Sequence, residues 1–80
     1  MEIKILGGGC PKCKRLEKFA REVVEDMGVE AAFDHVTEMP EIMAYDIIST
    51  PALVIDEEVK ASGRIPRKDE IRTWIDEARA

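Results

Sequence analysis

The sequence predicts an α/β fold in which a mixed β-sheet carries helices on both faces. Segments with the period-2 pattern of strands alternate with segments that have the 3.6-residue pattern of helices. The run Ala52-Leu53-Val54-Ile55 is apolar at every position, which is typical of a central strand covered on both sides. A tight turn then separates this run from a further strand and predicts an antiparallel hairpin. The predicted order of elements is β-α-β-α-β-β-α.

The N-terminal part predicts a strand followed by a long amphipathic helix. Glu2 to Leu6 forms the strand, and the glycines at positions 7–9 end it. The helix begins near Cys10 or Pro11, because proline suits the first helical turn, where its missing N–H needs no partner. Gly28 is placed to end the helix. Apolar residues at helical spacing form its buried stripe: Leu16, Phe19, Ala20, Val23, Val24 and Met27.

The middle of the chain predicts a second strand and a short helix. The strand spans Val29 to Val36 and is connected to the first strand by a right-handed, parallel crossover. His35 lies on this strand, and we expect it to be partly buried or at the strand end. The short helix is indicated by the spacing of Met39, Ile42, Met43 and Ile47, with Pro40 near its start. We expect Met39 and Met43 to belong to the core.

The C-terminal part predicts the hairpin and a last helix. The turn Asp56-Glu57-Glu58 leads into a strand from Val59 to Ser62, and Gly63 ends that strand. The last helix spans Pro66 to Arg79. Its expected buried residues recur at helical spacing: Ile71, Trp74, Ile75 and Ala78.

Length and charge narrow the possible classes of function. Eighty residues suffice for one domain, residues 1–80. The net charge of −5 disfavours nucleic-acid binding, which needs a basic surface. No apolar segment is long enough to span a bilayer, and the N-terminus lacks the features of a signal peptide. We therefore expect a cytoplasmic monomer without nucleic-acid or membrane partners.

The two cysteines of the chain, Cys10 and Cys13, form a Cys-Pro-Lys-Cys motif at the predicted helix start. A disulfide that closes so short a loop removes little chain entropy, so redox chemistry or metal binding is favoured over a structural role. Unpaired N–H groups and the positive end of the helix dipole stabilise a thiolate at this point. Cys10 is the better placed attacking thiolate, and Cys13, about one turn further on, is placed to close a disulfide with it.

Three cations follow the motif closely: Lys12, Lys14 and Arg15. Cations in the first helical turns oppose the helix dipole, so stability alone would favour Asp or Glu there. Residues that go against this preference for acidic side chains, beside a reactive pair, indicate a functional site. We expect these cations to favour the Cys10 thiolate and to attract anionic substrates.

Ser49-Thr50-Pro51 is the second functional signal, immediately before the apolar strand. Proline cannot donate to a strand ladder, so it fits the first residue of a strand. A cis Thr50–Pro51 bond would turn the Thr50 backbone outward, where it could bind an extended substrate by β-type hydrogen bonds. From the residues alone, however, the trans form is favoured for any X-Pro bond.

In three features the chain resembles the thioredoxin/glutaredoxin superfamily. These are the order of the elements, the motif Cys10-Pro11-Lys12-Cys13 after the first strand, and Thr50-Pro51 before the third strand. More closely, the chain resembles the small thioredoxin-like proteins described as redox-active disulfide protein 2. The segments that carry this likeness are residues 7–13, Leu16-Glu17-Lys18, residues 51–56, Gly63-Arg64 and residues 68–71. The resemblance implies the strand order 2-1-3-4, with the third strand parallel to neither neighbour. It also implies that Cys10 attacks, Cys13 resolves, and a cis Pro51 packs beside them.

By this resemblance the protein is a thiol–disulfide oxidoreductase that reduces disulfide-containing proteins and needs no bound cofactor or metal. A thioredoxin-reductase-like flavoprotein would recycle it. Gly9 stands where thioredoxins usually carry tryptophan, and Lys12 where glutaredoxins usually carry an aromatic residue. No Asp or Glu lies between Ile3 and Cys13, so the sequence identifies no proton acceptor for Cys13.

Two alternatives stay open at this point. The first is a Cu(I) or Zn(II) carrier that uses both thiolates, because soft sulfur ligands suit these ions. Copper-carrying domains of ferredoxin-like fold, however, run β-α-β-β-α-β, which differs from the predicted order. The second alternative is an inactive adaptor with a thioredoxin-like fold.

Overall fold

The structure of the protein is a computed structural model, which describes residues 1–7, 11–47 and 49–79. Across these residues the elements run in the predicted β-α-β-α-β-β-α order. Their bounds are β1 Glu2–Leu6, α1 Pro11–Met27, β2 Ala32–Val36, α2 Met39–Met43, β3 Ala52–Ile55, β4 Glu58–Ser62 and α3 Lys68–Arg79. No helix in the described part of the chain is long and apolar enough to cross a membrane.

The described strands form one sheet in the order β2-β1-β3-β4. β1 pairs with β2 in parallel, whereas β3 is antiparallel to both β1 and β4. The strand order and the direction of β3 that the resemblance implied are therefore confirmed. Leu6 is in register with Val36 of β2 and with Ala52 of β3. The end of β1 that leads toward the dithiol motif thus lies beside the end of β2 and the start of β3.

The two faces of the sheet each carry a cluster of buried side chains, as the α/β prediction requires. On one face, Ile3 and Ile5 of β1 and Leu53 and Ile55 of β3 pack against α1 and α3. On the other face, Leu6, Val36, Ala52 and Val54 pack with Ile42 of α2. All residues of β3 are buried, which confirms a strand covered on both sides.

The start of β2 differs from the prediction, because the end of α1 uses the residues that precede it. Gly28 has φ +67°, the left-handed conformation that glycine adopts at helix ends. The Gly28 N–H donates to the Glu25 carbonyl, and the Val29 N–H donates to the Val24 carbonyl, at 3.2 Å and 3.1 Å. This pair of bonds is a Schellman motif, which commits the Val29 N–H to the helix. The strand therefore begins at Ala32, three residues after the predicted start.

The second helix is shorter than its apolar spacing indicated, and its two methionines are not core residues. α2 has five residues and is followed by Asp46 at φ +60°. A helix this short buries one side chain well, and that side chain is Ile42. Met39 and Met43 are 62% and 64% exposed, so their prediction as core residues was wrong.

The boundaries of the C-terminal elements also shift slightly. The hairpin turn places Asp56 and Glu57 at φ +47° and +68°, which brings β4 one residue closer to the turn than predicted. α3 begins at Lys68 instead of Pro66. Ala78 was predicted to be buried and is exposed, because it lies in the last turn of α3 beyond the residues that contact the sheet. Ile71 and Ile75 are buried and Trp74 packs partly against the same cluster, as predicted.

Candidate dithiol site

The first turn of α1 holds Cys13 in the interior. Pro11 is the first residue of the helix, as the prediction required, and it is exposed. The Cys13 side chain, two residues further on, is fully buried. Backbone N–H groups in a first helical turn have no intrahelical partner, so the Cys13 sulfur lies in the electropositive end of α1. Cys10, the other cysteine of the motif, lies outside the described residues.

Gly7, at the end of β1, lies directly against the Cys13 sulfur. Its φ of +147° lies in the region that favours glycine. A Cβ atom at this position would collide with the Cys13 sulfur and would lie 3.4 Å from the Thr50 Cβ. The structure therefore brings together residues from three distant parts of the chain that the sequence singled out: Gly7, Cys13 and Thr50 of the Thr-Pro segment.

The Thr50–Pro51 peptide bond is cis, as the resemblance implied, and not trans as the residues alone favoured. Pro51 is buried, whereas Thr50 is exposed. The Gly63 N–H donates to the Pro51 carbonyl at 2.9 Å, and a Cβ atom on Gly63 would collide with the Ser49 Oγ. The end of β4 thus packs closely against the segment before β3, a contact that the sequence did not predict.

The cations of α1 are placed at its surface. Lys12, Lys14 and Arg15 are exposed, and the first turn of α1 contains no acidic residue. Within the described residues no charged side chain is fully buried, so none supplies a buried carboxylate beneath Cys13. The same residues contain no group of three or more His, Cys, Asp or Glu side chains that could hold a metal ion.

His35 contacts both sides of the motif. Its Nε2 lies 2.9 Å from the Gly7 carbonyl oxygen, and its Nδ1 lies 3.6 Å from Oε1 of Glu17 on α1. The side chain is 30% exposed, which confirms the expectation of a partly buried residue. The sequence could not show these contacts, since Gly7, Glu17 and His35 lie in three separate parts of the chain and share no motif.

Away from the motif, on the α2 face of the sheet, Lys4 forms the centre of a polar cluster. The Lys4 Nζ donates to Tyr45 Oη at 2.8 Å and to Glu57 Oε1 at 2.7 Å. The hydrogen bond from Lys4 lowers the pKa of the Glu57 carboxyl, and the bond to Glu57 raises the pKa of Lys4. Glu57 is thus a partner of β1 as well as a solvated turn residue.

The comparisons with known proteins agree with this architecture. The sequence model of the thioredoxin domain matches residues 1–76. Thioredoxin from Methanothermobacter thermautotrophicus is 42% identical over 72 residues, which cover 90% of this chain and 94% of that protein. Thioredoxin from Methanocaldococcus jannaschii is 34% identical over 70 residues, which cover 88% of this chain and 80% of that protein.

A comparison with a solved structure supports the fold, and the fold only. Thioredoxin 1 from the thermophilic eubacterium Thermosipho africanus matches over 100% of both chains, with a TM-score of 0.58 at 15% identity. Together these findings define a thioredoxin-like protein, and the chain belongs to the thioredoxin domain family. They are compatible with the closer resemblance to redox-active disulfide protein 2.

Proposed function

We propose that this protein is a thiol–disulfide oxidoreductase that reduces disulfides in other proteins through Cys10 and Cys13. The observation that carries the proposal is the position of the Cys-Pro-Lys-Cys motif in a chain of the thioredoxin domain family. Cys13 lies buried in the first turn of α1 against Gly7, and Cys10 precedes it by three residues in the chain. The names of the two archaeal relatives, both thioredoxins, support the same activity.

The proposed reaction transfers two electrons in two exchange steps. The Cys10 thiolate attacks one sulfur of a target disulfide, forms a mixed disulfide and displaces the other target sulfur as a thiolate. The Cys13 thiolate then attacks the Cys10 sulfur, which forms the Cys10–Cys13 disulfide and releases the second target thiol. The target is reduced and the protein is oxidised. An external dithiol donor, a thioredoxin-reductase-like flavoprotein, returns two electrons and completes the cycle.

The two sulfurs are proposed to have different environments, and this difference assigns attack on the target to one and resolution of the mixed disulfide to the other. Cys13 is fully buried, so a protein substrate does not reach its sulfur directly. This favours Cys13 as the resolving thiol, which attacks only a sulfur already held within the site. Lys12, Lys14 and Arg15 are exposed at the same end of α1, where their charge stabilises a thiolate and attracts anionic substrates.

The exposed Thr50 is the proposed contact for the polypeptide of the target. Its Cβ is close to Gly7 and therefore to the Cys13 sulfur, and it precedes the buried Pro51. Among the described residues, none forms a hydrogen bond with the Thr50 backbone. An extended segment beside the target cysteine could therefore pair with this backbone as an added strand.

Insulin reduction driven by dithiothreitol tests the proposal. The wild-type protein should accelerate the precipitation of reduced insulin, and Cys10→Ser should lose this acceleration completely. Val59→Ala, a change at an exposed residue of β4, is the control and should retain full activity. A wild-type protein that accelerates no more than Cys10→Ser would contradict the proposal.

Metal content separates this function from the carrier alternative, which uses the same two thiolates. The protein would be purified under reducing conditions, dialysed, and analysed for copper and zinc. Stoichiometric metal that survives dialysis, together with no insulin reduction, would favour the Cu(I) or Zn(II) carrier. An adaptor with the same fold would show neither metal nor activity.

A further inference from the structure

We propose that His35 is a positioning residue for the dithiol, because it links the two chain segments that flank the Cys-Pro-Lys-Cys motif. Gly7 lies three residues before Cys10, and Glu17 lies four residues after Cys13. The His35 ring contacts both of them, through Nε2 and Nδ1 respectively. This inference rests on the proposed function, since it concerns the reactivity of the same two sulfurs.

The contact with Gly7 fixes which ring nitrogen carries a proton. A carbonyl oxygen only accepts hydrogen bonds, so Nε2 at 2.9 Å must be the donor. The Gly7 N–H in turn donates to the Val36 carbonyl at 2.9 Å. Both polar groups of Gly7 are therefore held by adjacent residues of β2. These two contacts determine the orientation of the Gly7 backbone, which precedes the motif.

The contact with Glu17 joins the same ring to α1. Glu17 Oε1 lies 3.6 Å from His35 Nδ1, and Glu17 Oε2 accepts a hydrogen bond from Arg21 at 3.1 Å. The Arg21 guanidinium lies 4.4 Å from the centre of the Phe33 ring, two residues before His35 on β2. The arrangement is therefore supported from both elements: Glu17 and Arg21 are one helical turn apart, and Phe33 and His35 are on the same face of β2.

The position of Gly7 explains why this link matters for chemistry. The Gly7 backbone lies against the Cys13 sulfur and near Thr50, so any rotation of the Gly7 peptide changes the space around that sulfur. Exchange between two sulfurs depends strongly on their approach geometry, and small misplacements of reacting groups cost large factors in rate.

Two substitutions of His35 separate positioning from packing. His35→Phe keeps a ring of similar size and removes the donor, whereas His35→Gln keeps an N–H donor at a similar reach. Val29→Ala is the matched control, because Val29 packs against the same buried cluster just before β2 and takes part in neither contact of the His35 ring. For each variant, the rate of alkylation of the reduced protein by iodoacetamide and the thiol–disulfide equilibrium constant with glutathione would be measured at pH 8.

We expect His35→Phe to lower the alkylation rate by about tenfold and to change the equilibrium constant with glutathione, with His35→Gln within about threefold of the wild type. Val29→Ala should lower stability to urea and leave both redox measurements unchanged. Equal rates for the wild type and His35→Phe, or equal losses in both His35 variants or in Val29→Ala, would overturn the inference. These measurements need no target protein, so they remain informative if insulin reduction fails.

A measurement on the unaltered protein covers the case in which His35→Phe does not fold. Positioning is reciprocal, so a ring that orients the dithiol segment must also respond to its redox state. Nitrogen NMR of the wild-type protein should find a proton on Nε2 of the His35 ring. The ring signals should shift between the reduced and the disulfide forms. A ring without a proton on Nε2, or one that is insensitive to reduction, would overturn the inference.

Discussion

At the scale of single residues, Gly7 has two separate reasons to be a glycine. Its φ of +147° disfavours any side chain, and the space that a Cβ would need is taken by the Cys13 sulfur. Gly28 offers a useful contrast. It also has a positive φ, of +67°, but no atom outside its immediate neighbours lies within 4 Å of a Cβ built there. A comparison of the two glycines therefore distinguishes the effect of a positive φ from the effect of contact with the Cys13 sulfur.

Alanine substitutions at these two positions test that difference. Gly7→Ala should lower the free energy of unfolding by about 2–4 kcal/mol, because a strained backbone and a steric clash add together. Gly28→Ala should cost only about 1 kcal/mol, since backbone conformation is its sole penalty. Urea unfolding of both variants measures the two costs. Alkylation of the thiols should change in Gly7→Ala alone, and equal effects of the two substitutions would show that the contact with Cys13 is unimportant.

The exposed cations at the start of α1 have a predicted effect on the nucleophile. Replacement of Lys12, Lys14 and Arg15 by Gln should raise the titration midpoint of Cys10 alkylation by roughly 0.5 to 1 in pH, because less positive charge then stabilises the thiolate. A matched variant would replace Arg67, Lys68 and Arg79, exposed cations of α3 or its start, so that net charge changes equally. An unmoved midpoint in the first variant, or the same rise in the second, would remove the local role of these cations.

At the scale of elements, α2 shows how a short helix depends on one side chain. Ile42 is 3% exposed and packs against β1, β2 and β3, whereas Met43 beside it is 64% exposed. Ile42→Ala should therefore lower the free energy of unfolding by about 2–4 kcal/mol. Met43→Ala should change it by less than about 0.5 kcal/mol, as expected for a surface position. Thermal or urea unfolding of both variants measures this difference, and comparable losses would mean that Met43 is buried in solution.

The start of α3 depends on the ionisation of Glu70. The Arg64 guanidinium donates two hydrogen bonds to this carboxylate, and the Arg67 N–H donates a third, as in a capping box. The hydrogen bond from Arg64 is the largest cause that lowers the pKa of Glu70 from 4.5 to about 2. A carboxylate whose pKa falls on folding stabilises the fold above its unfolded pKa. That contribution is lost as the pH falls through the folded pKa.

Glu70→Gln should therefore be less stable than the wild type at pH 7, with the difference shrinking between about pH 4.5 and pH 2. Glu77→Gln, at an exposed position nearer the other end of α3, is the control for the loss of one carboxylate. Urea unfolding at several pH values measures both variants. A difference between Glu70→Gln and the wild type that is constant from pH 7 to pH 2 would contradict the proposed cap.

At the scale of the whole molecule, the sequence predicted the fold class because its strongest signals are periodic. The stripe of α1 and the apolar run of β3 each specify an element without help from the rest of the chain. The antiparallel direction of β3 and the strand order needed the family resemblance, since periodicity says nothing about which strands are neighbours. The boundaries of β2 and α2 were set by the cap at Gly28 and the turn at Asp46, which periodicity does not detect.

Only those parts of the site that are formed by residues close together in the sequence could be predicted. The Cys-Pro-Lys-Cys motif and the Thr50-Pro51 segment are visible as short patterns, although their proximity depends on the pairing of Leu6 with Ala52. His35 and Gly63 reach the same region from other elements, through contacts that only the folded chain creates. The sheet order places these segments together at one end, so that Cys13 at the start of α1 lies close to the segment for which we propose polypeptide binding.

Trapping of a mixed disulfide tests the central claim that Cys10 attacks and Cys13 resolves. Reduced Cys13→Ser would be mixed with a disulfide-containing protein such as insulin, and the products would be separated without reductant and identified by mass. A covalent adduct through Cys10 should accumulate in Cys13→Ser, resolve rapidly in the wild type and never form in Cys10→Ser. An adduct formed through Cys13, or none in Cys13→Ser, would contradict it.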